Sequence, residues 1–272
     1  YKYRWLVLTV VLVAEIMDLF DATIVNVAGP TLAEKLSASN TDLQWVIGGY
    51  ALALGSGLIL GGRLGDRFGR RNMFLFGLAG FTLASLLCAV APNVAALIIF
   101  RFIQGFLGAM LLPQGFGLIR ESFPPKEFGK AFAAYGPAFG LGGIIGPVLG
   151  GFLIEANLAG LGWRAVFLVN LPIGIISFIL AAKYLPKNVS DKSVKIDLLG
   201  AFLVVVASGF LVYPLIKGQE AGWPLWTYLM LAGSLVTFGI FAWTENHTKK
   251  RGGTPLIDAS IFQKRAYTMG LA

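Results

Sequence analysis

Eight long apolar runs dominate the chain, at residues 5–27, 43–60, 73–90, 94–112, 131–154, 166–184, 198–216 and 225–243. Each is close to the roughly 20 residues that an α-helix needs to cross the hydrocarbon of a bilayer. Strands of a membrane barrel would show shorter segments of alternating polarity. Only 13% of the residues are charged and 56% are hydrophobic. A soluble domain carries about twice that charged fraction. Lipid is therefore the solvent, and the expected fold class is an all-α polytopic membrane protein. A ninth apolar stretch begins near Ala266 and is cut at Ala272, so the chain reads as part of a longer protein.

The basic residues orient these helices. Of 22 Lys and Arg, eighteen lie at the N-terminus (Lys2, Arg4) or after alternate runs. They are Arg63, Arg67, Arg70 and Arg71; Arg120, Lys126 and Lys130; Lys183, Lys187, Lys192 and Lys195; and Lys249, Lys250, Arg251, Lys264 and Arg265. Lys35, Arg164 and Lys217 fall on the other side, and Arg101 lies inside a run. The positive-inside rule makes the richer side cytoplasmic, with the N-terminus there in an integral cell membrane. The net charge of +8 then needs no nucleic-acid partner. Six helices form one dense unit, expected at residues 1–185. The polar stretch 186–195 and two further helices make a second segment, 186–250. A loop and the cut helix occupy 251–272.

Charges inside the runs are the candidate chemistry. Glu15, Asp18 and Asp21 share one side of the first helix at intervals of three. An acid at the bilayer centre costs about 2.5–3.5 kcal/mol on insertion scales, so such groups mark ion or proton paths. Acids that are neutral when buried and ionised when wet are what proton coupling requires. Arg101 stays charged and must face an acid or water. Gln104, one turn on, shares its surroundings. Gly142, Gly146 and Gly150 repeat every four residues, as do Gly57, Gly61 and Gly65, and such stripes let helices approach closely. Pro137 and Pro147 permit bending. Cys88 and His247 are single, which gives neither a disulfide nor a metal set. No P-loop is present and a lone His247 supports no hydrolytic triad, so an enzyme is not expected.

Five segments carry a resemblance. Gly61-Gly-Arg-Leu-Gly-Asp-Arg-Phe-Gly-Arg-Arg71 resembles the loop signature between helices two and three of the major facilitator superfamily. Arg101-Phe-Ile-Gln-Gly105 resembles its fourth-helix motif, and Gly142-Gly-Ile-Ile-Gly-Pro-Val-Leu-Gly-Gly151 its helix-five antiporter signature. Asp21-Ala-Thr-Ile-Val-Asn-Val-Ala-Gly-Pro30 and Gly162-Trp-Arg-Ala-Val-Phe-Leu-Val-Asn-Leu-Pro-Ile-Gly174 resemble the drug:proton antiporter branch with 14 helices. The chain departs from the pattern at Leu107, where glycine is usual, and at Gly29 and Phe128. Glu15 and Asp18 are acids beyond it.

The resemblance implies a major-facilitator six-helix N-terminal bundle plus two extra helices. It implies a proton-coupled exporter of amphipathic, cationic organic compounds, of the kind that confers antibiotic resistance. Protons would be the coupling ion, with no other cofactor. The implied partners are a small organic substrate, the lipid bilayer and the C-terminal half of the same transporter. Asp21 would be the protonation or cation-recognition site and Arg101 would assist proton movement. Asp66 with Arg67, Arg70 and Arg71 would form a cytoplasmic charge latch favouring the outward-open state. Gly146, Pro147, Gly150 and Gly151 would govern rocking. Trp45 and Tyr50 are candidate walls of a substrate cavity, with Gln104 beside them. A dedicated metabolite or lipid exporter, or a non-transporting receptor on the same fold, is the alternative.

Overall fold

Three of the apolar runs are broken helices, and a proline four residues beyond each break accounts for it. The computed structural model describes residues 1–157, 160–187, 190, 196–250 and 256. In its first unit, Tyr1–Asp191, α1 spans Arg4–Leu36, α2 Asn40–Phe68 and α3 Arg70–Ala89. The fourth run is α4 (Val94–Gly108) followed by α5 (Leu111–Ser122). The fifth is α6 (Pro125–Ala133) and α7 (Tyr135–Ala156). The sixth is a 3-10 turn (Gly162–Arg164), α8 (Ala165–Leu168) and α9 (Asn170–Tyr184). Pro113, Pro137 and Pro172 have no N–H to give the carbonyls of Ala109, Ala133 and Leu168, and the preceding helices stop at or beside those residues. Pro30 and Pro147, by contrast, sit inside helices that continue past them.

Local signals fix several helix ends. Ser39 and Asp42 form a reciprocal capping box at the start of α2, with bonds of 3.1 and 2.9 Å. Asn93 caps α4 by accepting the Ala96 N–H at 2.9 Å. Gly69 alone separates α2 from α3, at φ 92°, a backbone angle that side chains with a Cβ rarely adopt.

Seven helical spans among the described residues are long and apolar enough to cross a membrane: Asn40–Phe68, Arg70–Ala89, Val94–Ser122, Pro125–Ala156, Gly162–Tyr184, Leu198–Glu220 and Leu225–Lys250. The chain is thus a multi-pass membrane protein. The first of the eight expected runs is missing from that set. At 33 residues α1 is long enough, but Glu15, Asp18 and Asp21 interrupt its apolar stretch. It serves as the core helix of its unit, packed on α7, α9, α5 and α2, with Glu15 and Asp21 buried.

An extensive close seam joins α1 to α7, through the predicted glycine stripe. A Cβ at Gly142 would meet Leu19, one at Gly146 the Thr23 hydroxyl and the Phe20 carbonyl, and one at Gly150 Ile24. Pro147 is exposed and a Cβ at Gly151 would meet open space, so these two of the five named α7 residues lie outside the seam. The second stripe plays the same part between α2 and the α4–α5 junction: a Cβ at Gly61 would stand 2.5 Å from the Ala109 carbonyl oxygen.

In the second unit, Lys192–Ala272, α10 (Leu198–Glu220) packs on α11 (Leu225–Lys250). Asp197 caps α10 by accepting the Gly200 N–H at 2.8 Å, and Ser234 donates to the Ala207 carbonyl at 2.8 Å. Leu198, Phe202, Leu225, Leu235 and Trp243 are exposed, as lipid-facing side chains are. Lys192, Lys195, Arg251, Lys264, Arg265 and the ninth helix expected from Ala266 lie outside the described residues.

Candidate functional site

Asp21, in the middle of α1, is entirely buried and is met by donors from two other helices. From α4, Arg101 Nη1 donates to its Oδ2 at 2.5 Å and Gln104 Nε2 to its Oδ1 at 3.1 Å. From the start of α9, Asn170 Nδ2 donates to the same Oδ1 at 2.5 Å. Ser85 of α3 stands behind them, its hydroxyl accepting from Gln104 at 2.9 Å and from Asn170 at 2.6 Å. Arg101 also donates to the Gln104 amide oxygen at 2.7 Å and through Nε to the Val46 carbonyl at 3.1 Å. Its guanidinium lies 4.0 Å from the centre of the Tyr50 ring, a cation–π contact strengthened by the burial of both groups. Desolvating both charges is costly, and such a pair holds only where hydrogen bonds fill the remaining valences. Here three donors reach the carboxylate. Arg101 Nη2 and Asn170 Oδ1 have no hydrogen-bond partner among the described residues.

The sequence named Asp21, Arg101, Gln104 and Tyr50, and the structure brings all four together. Tyr50 and Gln104 are also the residues expected beside a substrate cavity. Both are buried, at 2% and 0% exposure, with their polar groups committed to acids of α1. Trp45 stands apart, stacked on Phe102 with ring centres 6.1 Å apart.

Asp18 is only partly buried. Tyr50 donates its hydroxyl to Asp18 Oδ1 at 2.6 Å. A Cβ at Gly108 would come within 2.6 Å of that oxygen. The glycine displaced by one position in the fourth-helix motif thus makes room for the acid that is extra in the first. Leu107, at the departing position, packs against Gly80 of α3.

Glu15 lies about 9 Å along α1 from Asp21 and in different company. It is 3% exposed, and its Oε1 has no hydrogen-bond partner among the described residues. Gly115 of α5 and Tyr135 of α7 border it.

Of the four expected latch residues, the structure pairs Asp66 with Arg70 at 3.0 Å. The one-residue turn at Gly69 sets them one helical turn apart in sequence but on different helices. Arg70 Nε also meets Glu121 of α5 at 3.3 Å, and its side chain lies across Gly117. Arg71 donates to the Ala182 carbonyl at 2.6 Å. The Arg67 guanidinium sits 5.6 Å from the Phe68 ring centre.

Sequence reasoning missed Ser85, Asn170, Glu121 and Tyr135. Asn170 falls in one of the quoted segments and is a polar residue in an apolar run, which is a usable signal. Nothing in the sequence distinguishes Ser85 from other small residues of its helix.

A sequence model of the Major Facilitator Superfamily matches residues 11–263. The chain is 48% identical over its whole length to a probable actinorhodin transporter of Streptomyces coelicolor, covering 47% of that protein. It is 35% identical to the tetracenomycin C resistance and export protein of Streptomyces glaucescens, covering 98% of the chain and 48% of the relative. The chain spans about half the length of the curated relatives it matches. These relatives are named as transport and export proteins, not enzymes. Among solved structures, the proton:xylose symporter XylE superposes with a TM-score of 0.62 at 17% identity, covering 93% of this chain and 55% of that one. At that identity the likeness is one of fold.

Proposed function

Because this chain belongs to the major facilitator superfamily, we propose that it acts in the export of small amphipathic organic compounds, cationic ones included, by alternating access driven by proton entry. The observation that carries the reading is the buried Asp21–Arg101 pair, with Gln104, Ser85 and Asn170 around it. A charged cluster of this kind is costly in an apolar bundle and marks ion or substrate pathways. The export relatives support the direction of transport, and actinorhodin and tetracenomycin C are the compounds in their names. The partly exposed Asp18, with no cation bonded to it among the described residues, favours cationic substrates over anionic ones.

The test is transport by the protein in proteoliposomes under an imposed pH gradient. The probes are a lipophilic cationic dye, a neutral aromatic compound and an anionic one. Movement of the cationic dye should quicken with the gradient and be matched by opposite proton flux. Transport indifferent to the gradient would remove proton coupling, and no transport of any probe would favour a receptor on this fold.

We further propose that the N-terminus is cytoplasmic, from the basic residues at Lys2, Arg4, Arg63, Arg67, Arg70 and Arg71. A cysteine replacing Lys2 should react with an impermeant thiol reagent only in inverted vesicles, and one replacing Leu161 only in right-side-out cells. The reverse pattern inverts the topology.

A further inference from the structure

Two buried acids of α1 sit in opposite surroundings. Asp21 has a guanidinium and two carboxamides on its oxygens, so its charged form is fully served. Glu15 has neither. Its Oε1 is buried without a partner, and so is the hydroxyl of Tyr135, which is itself 4% exposed. The two oxygens share one recess. A Cβ at Gly115 would stand 3.0 Å from Glu15 Oε1, 3.1 Å from the Tyr135 hydroxyl and 2.7 Å from Val11. Both oxygens therefore border the space left by the missing side chain of Gly115, without bonding to one another.

Among the described residues, the charged group acting on Glu15 is another acid, not a cation. From its own helix come Val11 and Asp18, an acid. From α7 comes Tyr135, and from α5 the bare Gly115. An ionised carboxylate here has no cation and no donor except a phenol. The neutral acid needs only one hydrogen-bond partner, which the phenol oxygen can provide.

We propose that Glu15 and Tyr135 form a proton-binding site distinct from the Asp21 cluster, with the carried proton on the Glu15 carboxyl. This rests on the proton-coupled reading above and narrows it: Asp21 is the fixed counter-charge of Arg101, and Glu15 is the carrier. When α1, α5 and α7 part and water enters, the Glu15 carboxyl gives its proton to water and is left as a solvated carboxylate. When they close, it takes a proton back. The Tyr135 ring links this site to substrate. It touches Phe116 with ring centres 4.8 Å apart, and Phe132 and Phe139 at 5.5 Å, and the last two are exposed. An aromatic compound stacked on those rings bears directly on the partner of the proton.

Infrared spectroscopy of the protein in lipid tests this without any transport. A protonated carboxyl gives a C=O stretch resolved from the amide and carboxylate bands. Near neutral pH that band should be present, lost in Glu15→Gln, shifted in Tyr135→Phe and retained in Asp21→Asn. In weakly buffered solution, the protons released on binding the cationic dye should fall by about one per protein in Glu15→Gln. No band in the unaltered protein overturns the proposal. So does a band that survives Glu15→Gln and disappears in Asp18→Asn or Asp21→Asn. Should Glu15→Gln fail to fold, an unshifted band in Tyr135→Phe overturns it equally. Loss of transport coupling with the band pattern intact would instead sink the exporter reading and leave the site.

Discussion

Arg101→Met is expected to destabilise the protein by about 3–5 kcal/mol, and Asp21→Asn added to it to restore most of that loss. Methionine has nearly the length of arginine and fits an apolar slot. What it removes is the one cation bonded to the Asp21 carboxylate among the described residues. Gln104 and Asn170 remain as donors, but a buried carboxylate held by neutral amides alone lacks a countercharge. Asp21→Asn by itself should cost less. Arg101 would keep the Gln104 amide oxygen, the Val46 carbonyl and the Tyr50 ring face. The three variants with the parent close a double-mutant cycle, read as thermal unfolding of the protein in detergent. A favourable coupling of more than about 2 kcal/mol is expected for so close a buried pair. Equal instability in Arg101→Met and in the double variant would mean that packing, not charge, holds α4 to α1. All three variants should lose proton-driven transport, including the one whose stability returns.

That pairing shows how far the sequence reaches. The apolar runs were legible because a spanning helix has to be apolar along most of its length, whatever its neighbours. The acids and Arg101 stood out for the same reason. The sequence could not show that Arg101 meets Asp21, 80 positions away, while Glu15 on the same helix has a carboxyl oxygen without a hydrogen-bond partner among the described residues. Nor could it show Asn170, whose reach to Asp21 depends on the break before α9. The breaks were hidden because proline has no fixed effect in a membrane helix. Pro172 ends one, while Pro30 and Pro147 are carried through. Neighbouring packing decides between those outcomes. The four-residue glycine spacing in α7 predicted a close seam, but α1 as its partner is a tertiary fact. The latch illustrates the same limit. Asp66 and Arg70 are near in sequence and pair, whereas Glu121 joins them from another helix and looks like any half-exposed acid.

Gly146→Val should abolish transport and lower stability by several kcal/mol, with Gly146→Ala already costing about 1–3 kcal/mol. At this position α7 touches α1 through backbone. A Cβ would meet the Thr23 hydroxyl and stand 2.9 Å from the Phe20 carbonyl oxygen. The hydroxyl cannot easily swing aside, because it donates to the carbonyls of Leu19 and Phe20 at 3.2 and 3.0 Å. The carbonyl cannot move without bending α1, which carries Glu15, Asp18 and Asp21. Added volume therefore forces the two helices apart and displaces every acid from its setting. Gly151→Ala is the control, since a Cβ there meets open space, and exchanging glycine for alanine in a helix is neutral or mildly stabilising. Thr23→Ala should partly rescue Gly146→Ala by removing the hydroxyl, leaving only the carbonyl contact. Thermal unfolding and proteoliposome transport of these four variants decide the matter. Parent-like behaviour of Gly146→Ala together with a damaging Gly151→Ala would place the helix contact on the other face of α7, and the proposed positions of the α1 acids would fall with it.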